Sequence, residues 1–152
     1  IKEAIDFSRQ SNIPLIIAGN IEAEWKGYFK NEIKPSIDGD HIQYIGPVND
    51  EEKNKLLNRA IAFLMLIRWE EPFGIVMAEA LACGAPVIAL NRGSVPEVVQ
   101  HGVNGLRGDN LEELLEALPL LNSISADACR EDALRRFSIS AVSNQYLQLL
   151  QQ

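Results

Sequence analysis

The sequence predicts a doubly wound, Rossmann-like α/β fold with a parallel sheet covered on both faces. Three observations carry this. Helix-like and strand-like segments alternate along the chain, in the order αβαβαβαβαβααα. Most strand candidates are continuous apolar runs rather than alternating ones, as in strands buried from both sides. Several helix candidates open on capping residues or stop at glycine or before proline.

The elements follow in order. Lys2–Gln10 is amphipathic. Pro14–Gly19 (PLIIAG) is the first strand candidate. Glu22–Ile33 places Trp25, Tyr28 and Phe29 close to helical spacing. Ile42–Val48 (IQYIGPV) reads as the second strand. Asn49, with Glu52 three residues on, is a capping box opening Asp50–Arg59. Ile61–Ile67 (IAFLMLI) is the third strand. The next helix, Gly74–Cys83, stops at Gly84. Ala85–Leu90 is the fourth strand, and Ser94 with Glu97 caps Val95–His101. Gly105–Gly108 is a short fifth strand. Asn110 with Glu113 opens a helix through Leu118, ahead of Pro119. Ile124–Phe137 and Ile139–Leu150 are helical, broken at Ser138.

No repeat, low-complexity stretch or linker divides residues 1–152, which read as a single domain. The chain opens inside a helix, whereas a nucleotide-binding α/β domain normally opens with a strand and a phosphate-binding turn. The sequence therefore predicts a first strand upstream of Ile1. In a 3-2-1-4-5-6 sheet that strand would separate Pro14–Gly19 from Ile61–Ile67.

The net charge of −7 disfavours a nucleic-acid partner, which needs a basic face. The longest apolar run, Ala60–Ile67, is far below the roughly 20 residues of a membrane span. No basic-then-apolar start marks a signal peptide. The expected location is the cytoplasm, or the membrane periphery for a full-length protein. Cys83 and Cys129 read as two reduced thiols. His41 and His101 are isolated, and no cluster has metal-ligand spacing.

The chemistry concentrates in the segment from Trp69 to Glu79. It follows the third strand, and ligands of open α/β sheets bind at the carboxyl ends of strands. Pro72 suits a helix start, and Gly74 lets the backbone approach a ligand. The N–H groups near residues 74–76 then point outward and, with the helix dipole, form an anion site suited to a diphosphate. Glu79 lies about one turn on, on the order of 6 Å from the helix start, within reach of ribose hydroxyls. Glu71 precedes the helix and can accept hydroxyls of a sugar. On spacing alone a plainer reading stands beside this one: glutamates are favoured at helix starts by the dipole, and a mid-helix glutamate often faces solvent.

The residues themselves narrow the choice. Glu71-Pro72-Phe73-Gly74-Ile75-Val76-Met77-Ala78-Glu79-Ala80-Leu81-Ala82-Cys83-Gly84-Ala85-Pro86-Val87-Ile88-Ala89 resembles the signature of glycosyltransferase family 4, a glutamate pair spaced Glu-x7-Glu. Gly93-Ser94-Val95-Pro96-Glu97-Val98-Val99 and His101-Gly102-Val103-Asn104-Gly105-Leu106 continue the match, which runs from about Pro14 to Tyr146. A nucleotide-sugar epimerase shares the architecture without the full signature. A dinucleotide oxidoreductase is disfavoured because no G-x-G-x-x-G follows a strand.

The resemblance implies a retaining, metal-independent glycosyltransferase of the two-domain GT-B architecture, of which this chain is the C-terminal, donor-binding half. It implies no cofactor. The donor is a substrate, a UDP-, GDP- or ADP-sugar. The acceptor, a saccharide, lipid or small molecule, would bind an N-terminal domain outside this chain. Carried over residue by residue, Glu79 matches the ribose-binding glutamate and Glu71 the one that contacts the donor sugar. Phe73, Gly74, Ile75 and Val76 match the backbone facing the sugar and diphosphate. Val48, Asp50 and Lys53 match the loop around the nucleobase; a plainer reading stands beside this for Asp50, as a helix-start carboxylate, and for Lys53, as a solvated lysine. Gly93, Ser94, Pro96 and Glu97 read as a turn and cap rather than ligand contacts. The family's diphosphate-binding Arg and Lys would lie upstream of Ile1, so the chain alone is expected to bind donor weakly and turn over nothing.

Overall fold

A computed structural model describes residues 1–151. The α/β expectation holds: every strand pairing is parallel and helices follow the strands in the expected order. The chain divides into two compact units, Ile1–Lys55 and the residues from Leu56 onward.

In the first unit, α1 (Lys2–Ser11) precedes β1 (Leu15–Ala18), and β1 pairs with β2 (Ile42–Gly46). Ile5, Ile33 and Ile42 form the core, with Leu15, Ile17, Phe29 and Ile37 packed on it. This core covers one face of the strand pair. Ile16 and Ile45 stay exposed, so burial on both faces fails here.

The regular helix expected over Glu22–Ile33 is also corrected. Residues 23–36 form a chain of short helical turns: a 3₁₀ turn Ala23–Trp25, α2 (Lys26–Tyr28), a π-turn Phe29–Ile33 and a 3₁₀ turn Lys34–Ser36. Gly27 and a run of aromatic residues lower the helical preference. Only Ile33 of the stretch is fully buried, with Phe29 one turn before it on the same core. Trp25 and Tyr28 remain largely exposed.

The capping box before α3 (Asp50–Arg59) is present. Glu52 N–H donates to Asn49 Oδ1 at 2.9 Å, and Asn49 N–H to Glu52 Oε2 at 2.9 Å.

In the second unit, β3 (Phe63–Met65), β4 (Val87–Leu90) and β5 (Gly105–Gly108) form a parallel sheet in that order. β1 and β3 thus belong to different sheets and do not pair. The central strand β4 is buried along its whole length, the predicted signature of two-face coverage. Gly105 permits the close pairing, since a Cβ there would run into the Val87 carbonyl oxygen. The third strand is shorter than its apolar run; Ile61 at its head is exposed.

Helix α4 (Ile75–Ala82) buries Met77, Ala80 and Leu81, and ends through Cys83 and a left-handed Gly84 at φ 86°. Met77, Ala80 and Leu81 join Cys129 and Ala133 of α7 (Ala126–Phe137) in one core with Val87, Ala89 and Val95. Between them lie α5 (Val95–Val98) and α6 (Leu111–Ala117). Asn110 caps α6: its Oδ1 accepts from Glu113 N–H at 3.0 Å, and the Glu113 carboxylate accepts in return from the Asn110 side-chain amide and from Asp109 N–H, each at 2.8 Å. Helix α8 (Ile139–Leu150) begins on Ser138, whose Oγ accepts from Ala141 N–H at 3.2 Å.

The Ser94–Glu97 box is corrected. Ser94 makes no capping bond, and its hydroxyl is used elsewhere. The helix stops at Val98 rather than His101 because the buried Asn104 side chain takes over the turn. Asn104 Oδ1 accepts from Gln100 N–H at 2.8 Å and Nδ2 donates to Val98 O at 3.2 Å.

Candidate functional site

The second unit gathers most of the sequence-predicted residues where β3 runs into α4. Gly74 stands at the turn with φ 67° and ψ 65°, a left-handed conformation suited to glycine. A Cβ there would come within 2.8 Å of the Met77 Cε and 3.3 Å of the Glu71 Cγ. Gly74 O accepts from Met77 N–H at 2.8 Å. The N–H groups of Ile75 and Val76 come before Met77, the first donor of that ladder, and as first-turn donors suit an anion. The Val76 side chain packs on the core, so what it offers a ligand is its backbone, as the resemblance implies.

The approach to this turn is fixed from the loop after β4. Ser94 N–H donates to Glu71 O at 2.9 Å, and Ser94 Oγ donates to Phe73 O at 2.8 Å. Glu70 accepts from Gly93 N–H and pairs with Arg92 at 3.4 Å. Gly93 is left-handed at φ 51°, and a Cβ would run into the Glu71 backbone carbonyl oxygen and nitrogen. Gly93→Ala is therefore expected to destabilise the chain by about 1–3 kcal/mol, by strain and by pushing the 70–74 turn away. Urea unfolding checks this; an unchanged midpoint would mean the two loops have room between them.

Glu71 is half-buried and its carboxylate accepts from the Trp69 indole Nε1–H at 3.1 Å. Glu79 lies one helical turn into α4, on the face away from the core, and is also half-buried. It shares an open cleft of about 760 Å³ with Phe73, Ile75, Leu134, Phe137 and Val142. Phe73 meets Phe137 edge-on at 5.7 Å, and the Arg136 guanidinium lies 4.6 Å over the Phe137 ring.

Arg136 is itself anchored. It donates to Asp132 Oδ2 at 2.9 Å, to Val98 O at 3.0 Å and to Glu97 O. Asn104 Nδ2 donates to the same Asp132 oxygen at 2.8 Å. Burial pushes the Asp132 carboxyl up, but the hydrogen bonds from Arg136 and Asn104 and the nearby Arg135 charge outweigh it and hold the group below the usual carboxylate range. Burial likewise pushes the neighbouring Cys129 thiol up to about 11. Among the described residues, Cys83 and Cys129 are not disulfide-bonded.

In the first unit, Val48, Asp50 and Lys53 follow the carboxyl end of β2. Lys53 Nζ pairs with Asp50 Oδ1 at 3.1 Å, with Asp50 almost fully exposed. Among the described residues no group of three or more His, Cys, Asp or Glu could hold a metal ion, and no helix is long and apolar enough to cross a membrane.

Sequence reasoning did not reach Trp69 as a partner of Glu71, nor the Asn104–Asp132–Arg136 network. The i, i+4 spacing of Asp132 and Arg136 was a signal for half of that network. Asn104 is distant in sequence and carried none.

The family model for glycosyl transferases group 1 matches residues 1–128. An uncharacterized 41.2 kDa protein in the cps region of Klebsiella pneumoniae is 32% identical over 126 residues, which covers 78% of this chain and 35% of that protein. N-acetyl-alpha-D-glucosaminyl L-malate synthase of Bacillus anthracis is 33% identical over 91 residues, 55% of this chain and 24% of its own length. Among solved structures, Anabaena Alr3699/HepE in complex with UDP superposes with a TM-score of 0.82 at 24% identity, over 99% of this chain and 44% of that one. The chain thus spans about a third or less of the curated relatives it matches. With the family model matching most of its length, the chain belongs to the group 1 glycosyl transferases.

Proposed function

We propose that this chain is the C-terminal, donor-binding domain of a retaining, metal-independent glycosyltransferase of family 4, and that the turn from Glu71 into α4 holds a nucleotide-sugar. The observation that carries the reading is the Gly74 turn: it places the Ile75 and Val76 N–H groups in the first turn of α4, with a half-buried glutamate on either side. Backbone donors and the helix dipole suit a diphosphate. Carboxylates suit hydroxyls, which donate to them and need no cation between. In this reading Glu79 takes the ribose hydroxyls and Glu71 the transferred sugar. Phe73, Gly74, Ile75 and Val76 face the sugar and diphosphate. Val48, Asp50 and Lys53 keep the nucleobase role that the resemblance gives them. That HepE has been crystallised with UDP supports a nucleoside diphosphate as the ligand class. The acceptor, a saccharide, lipid or small molecule, would be bound by a further domain.

Titration with UDP, GDP and ADP tests this. At least one is expected to bind, weakly to this chain and more tightly to a full-length enzyme, with binding lost in Glu79→Ala. If none binds the full-length enzyme at millimolar concentration, the donor site is wrongly placed.

A further inference from the structure

The main chain and the side chain of Glu71 are held by different partners. Its carbonyl is fixed by Ser94 N–H at 2.9 Å. Its carboxylate, among the described residues, is held by the Trp69 indole, with Nε1–H donating to Oε2 at 3.1 Å. Trp69 is 61% exposed, so this large side chain contributes little core area, and its use has to be sought at the surface.

The chemistry of the pair is specific. An indole N–H donates and cannot accept, so Trp69 orients the carboxylate without competing for a hydroxyl proton. It is neutral, so it leaves the negative charge of Glu71 in place. An arginine in its position would occupy both oxygens in a bidentate pair. With Oε2 engaged, Oε1 remains as the acceptor for an incoming hydroxyl.

We propose that Trp69 is a positioning residue for the transferred sugar: its indole N–H fixes the Glu71 carboxylate so that the free oxygen meets a sugar hydroxyl. The proposal rests on the sugar-contact reading of Glu71. A carboxylate held in advance does not have to be ordered when the donor binds, so the gain appears in the reacting complex rather than in nucleotide affinity.

The test uses the full-length enzyme with 3-benzothienylalanine at position 69, which keeps the ring shape and removes the N–H, alongside Trp69→Phe. Both are expected to lower kcat roughly tenfold, equivalent to about 1.4 kcal/mol, at an unchanged Tm. The inhibition constant of whichever of UDP, GDP or ADP binds should move less than about twofold. In a Glu71→Ala background, Trp69→Phe should add no further loss, since the two residues act as a unit. Full kcat in the benzothienylalanine enzyme, with Glu71→Ala inactive, would overturn the positioning role and leave the donor site standing. Full turnover in Glu71→Ala would sink the sugar-contact reading, and the proposal with it. A lowered Tm together with weakened nucleotide binding would make Trp69 a structural residue and overturn the proposal as well.

Discussion

Glu71→Ala in a full-length enzyme is expected to cut turnover by roughly 10²-fold or more while leaving nucleotide affinity within a few-fold. The two effects separate because the residue is held in two independent ways. Its backbone carbonyl accepts from Ser94 N–H, a bond that survives any side-chain change. The turn into Gly74, and with it the Ile75 and Val76 N–H groups, should therefore stay in place. Among the described residues the side-chain bond broken is the one from the Trp69 indole, whose exposed N–H can pass to water. Stability should change by no more than about 0.5 kcal/mol, as for a surface substitution. What is lost is a charged acceptor aimed at the transferred sugar, and removing one such preorganised group typically costs 10²–10³ in rate. Glu71→Gln should fall between, because its amide oxygen can still accept from Trp69 while a neutral acceptor is weaker than a carboxylate. Steady-state kinetics with product inhibition by the nucleoside diphosphate reads both quantities. Turnover within twofold of the parent in Glu71→Ala would remove Glu71 from the site.

The fold was legible in the sequence where a single element decides its own form. The apolar run around Val87–Leu90 implied burial on both faces, and β4 is wholly buried. The Asn49–Glu52 and Asn110–Glu113 pairs are local, three positions apart each; the first closes as a capping box and in the second Asn110 caps the helix as read. The failures share a cause. Ser94 has the sequence of a cap, but its hydroxyl is taken by the Phe73 carbonyl twenty-one positions away. The helix after it is cut short by Asn104, again a partner brought in by the fold. Trp25, Tyr28 and Phe29 stand close to helical spacing, yet within Glu22–Ile33 it is Phe29 and Ile33 that pack on the core, and the backbone follows those two contacts. For the site, the ordered run Glu71–Glu79 foretold the turn at Gly74 and the helix after it. It could not show that the turn is braced by Gly93 and Ser94, because that bracing depends on where the loop after β4 lands.

The same long-range logic makes Asp132 the residue whose loss should cost the most stability. Its side chain is about 7% exposed and meets Arg136, Arg135 and Asn104 at once. Asp132→Ala would strip Arg136 of its carboxylate and leave Asn104 with Val98 O as the acceptor for its amide. Breaking a buried pair by removing one partner commonly costs about 3–5 kcal/mol. The lower end applies here, because Arg136 keeps its bonds to Val98 O and Glu97 O and its place over the Phe137 ring. About 3 kcal/mol corresponds to a fall in Tm of roughly 5–10 °C for a domain of this size. The effect should depend on pH in a defined direction. The folded Asp132 carboxyl is held below its ordinary value of 3.8, so its stabilisation is fully present above that value. It is lost as pH falls from about 4 through the folded pKa, where the unfolded chain already binds the proton. Melting wild type and Asp132→Asn between pH 7 and pH 2.5 separates this from general acid unfolding. The gap between the two should be constant near neutrality and shrink below about pH 4. A gap that persists undiminished at pH 3 would mean that the charge on Asp132 is not what ties α7 to the turn after α5.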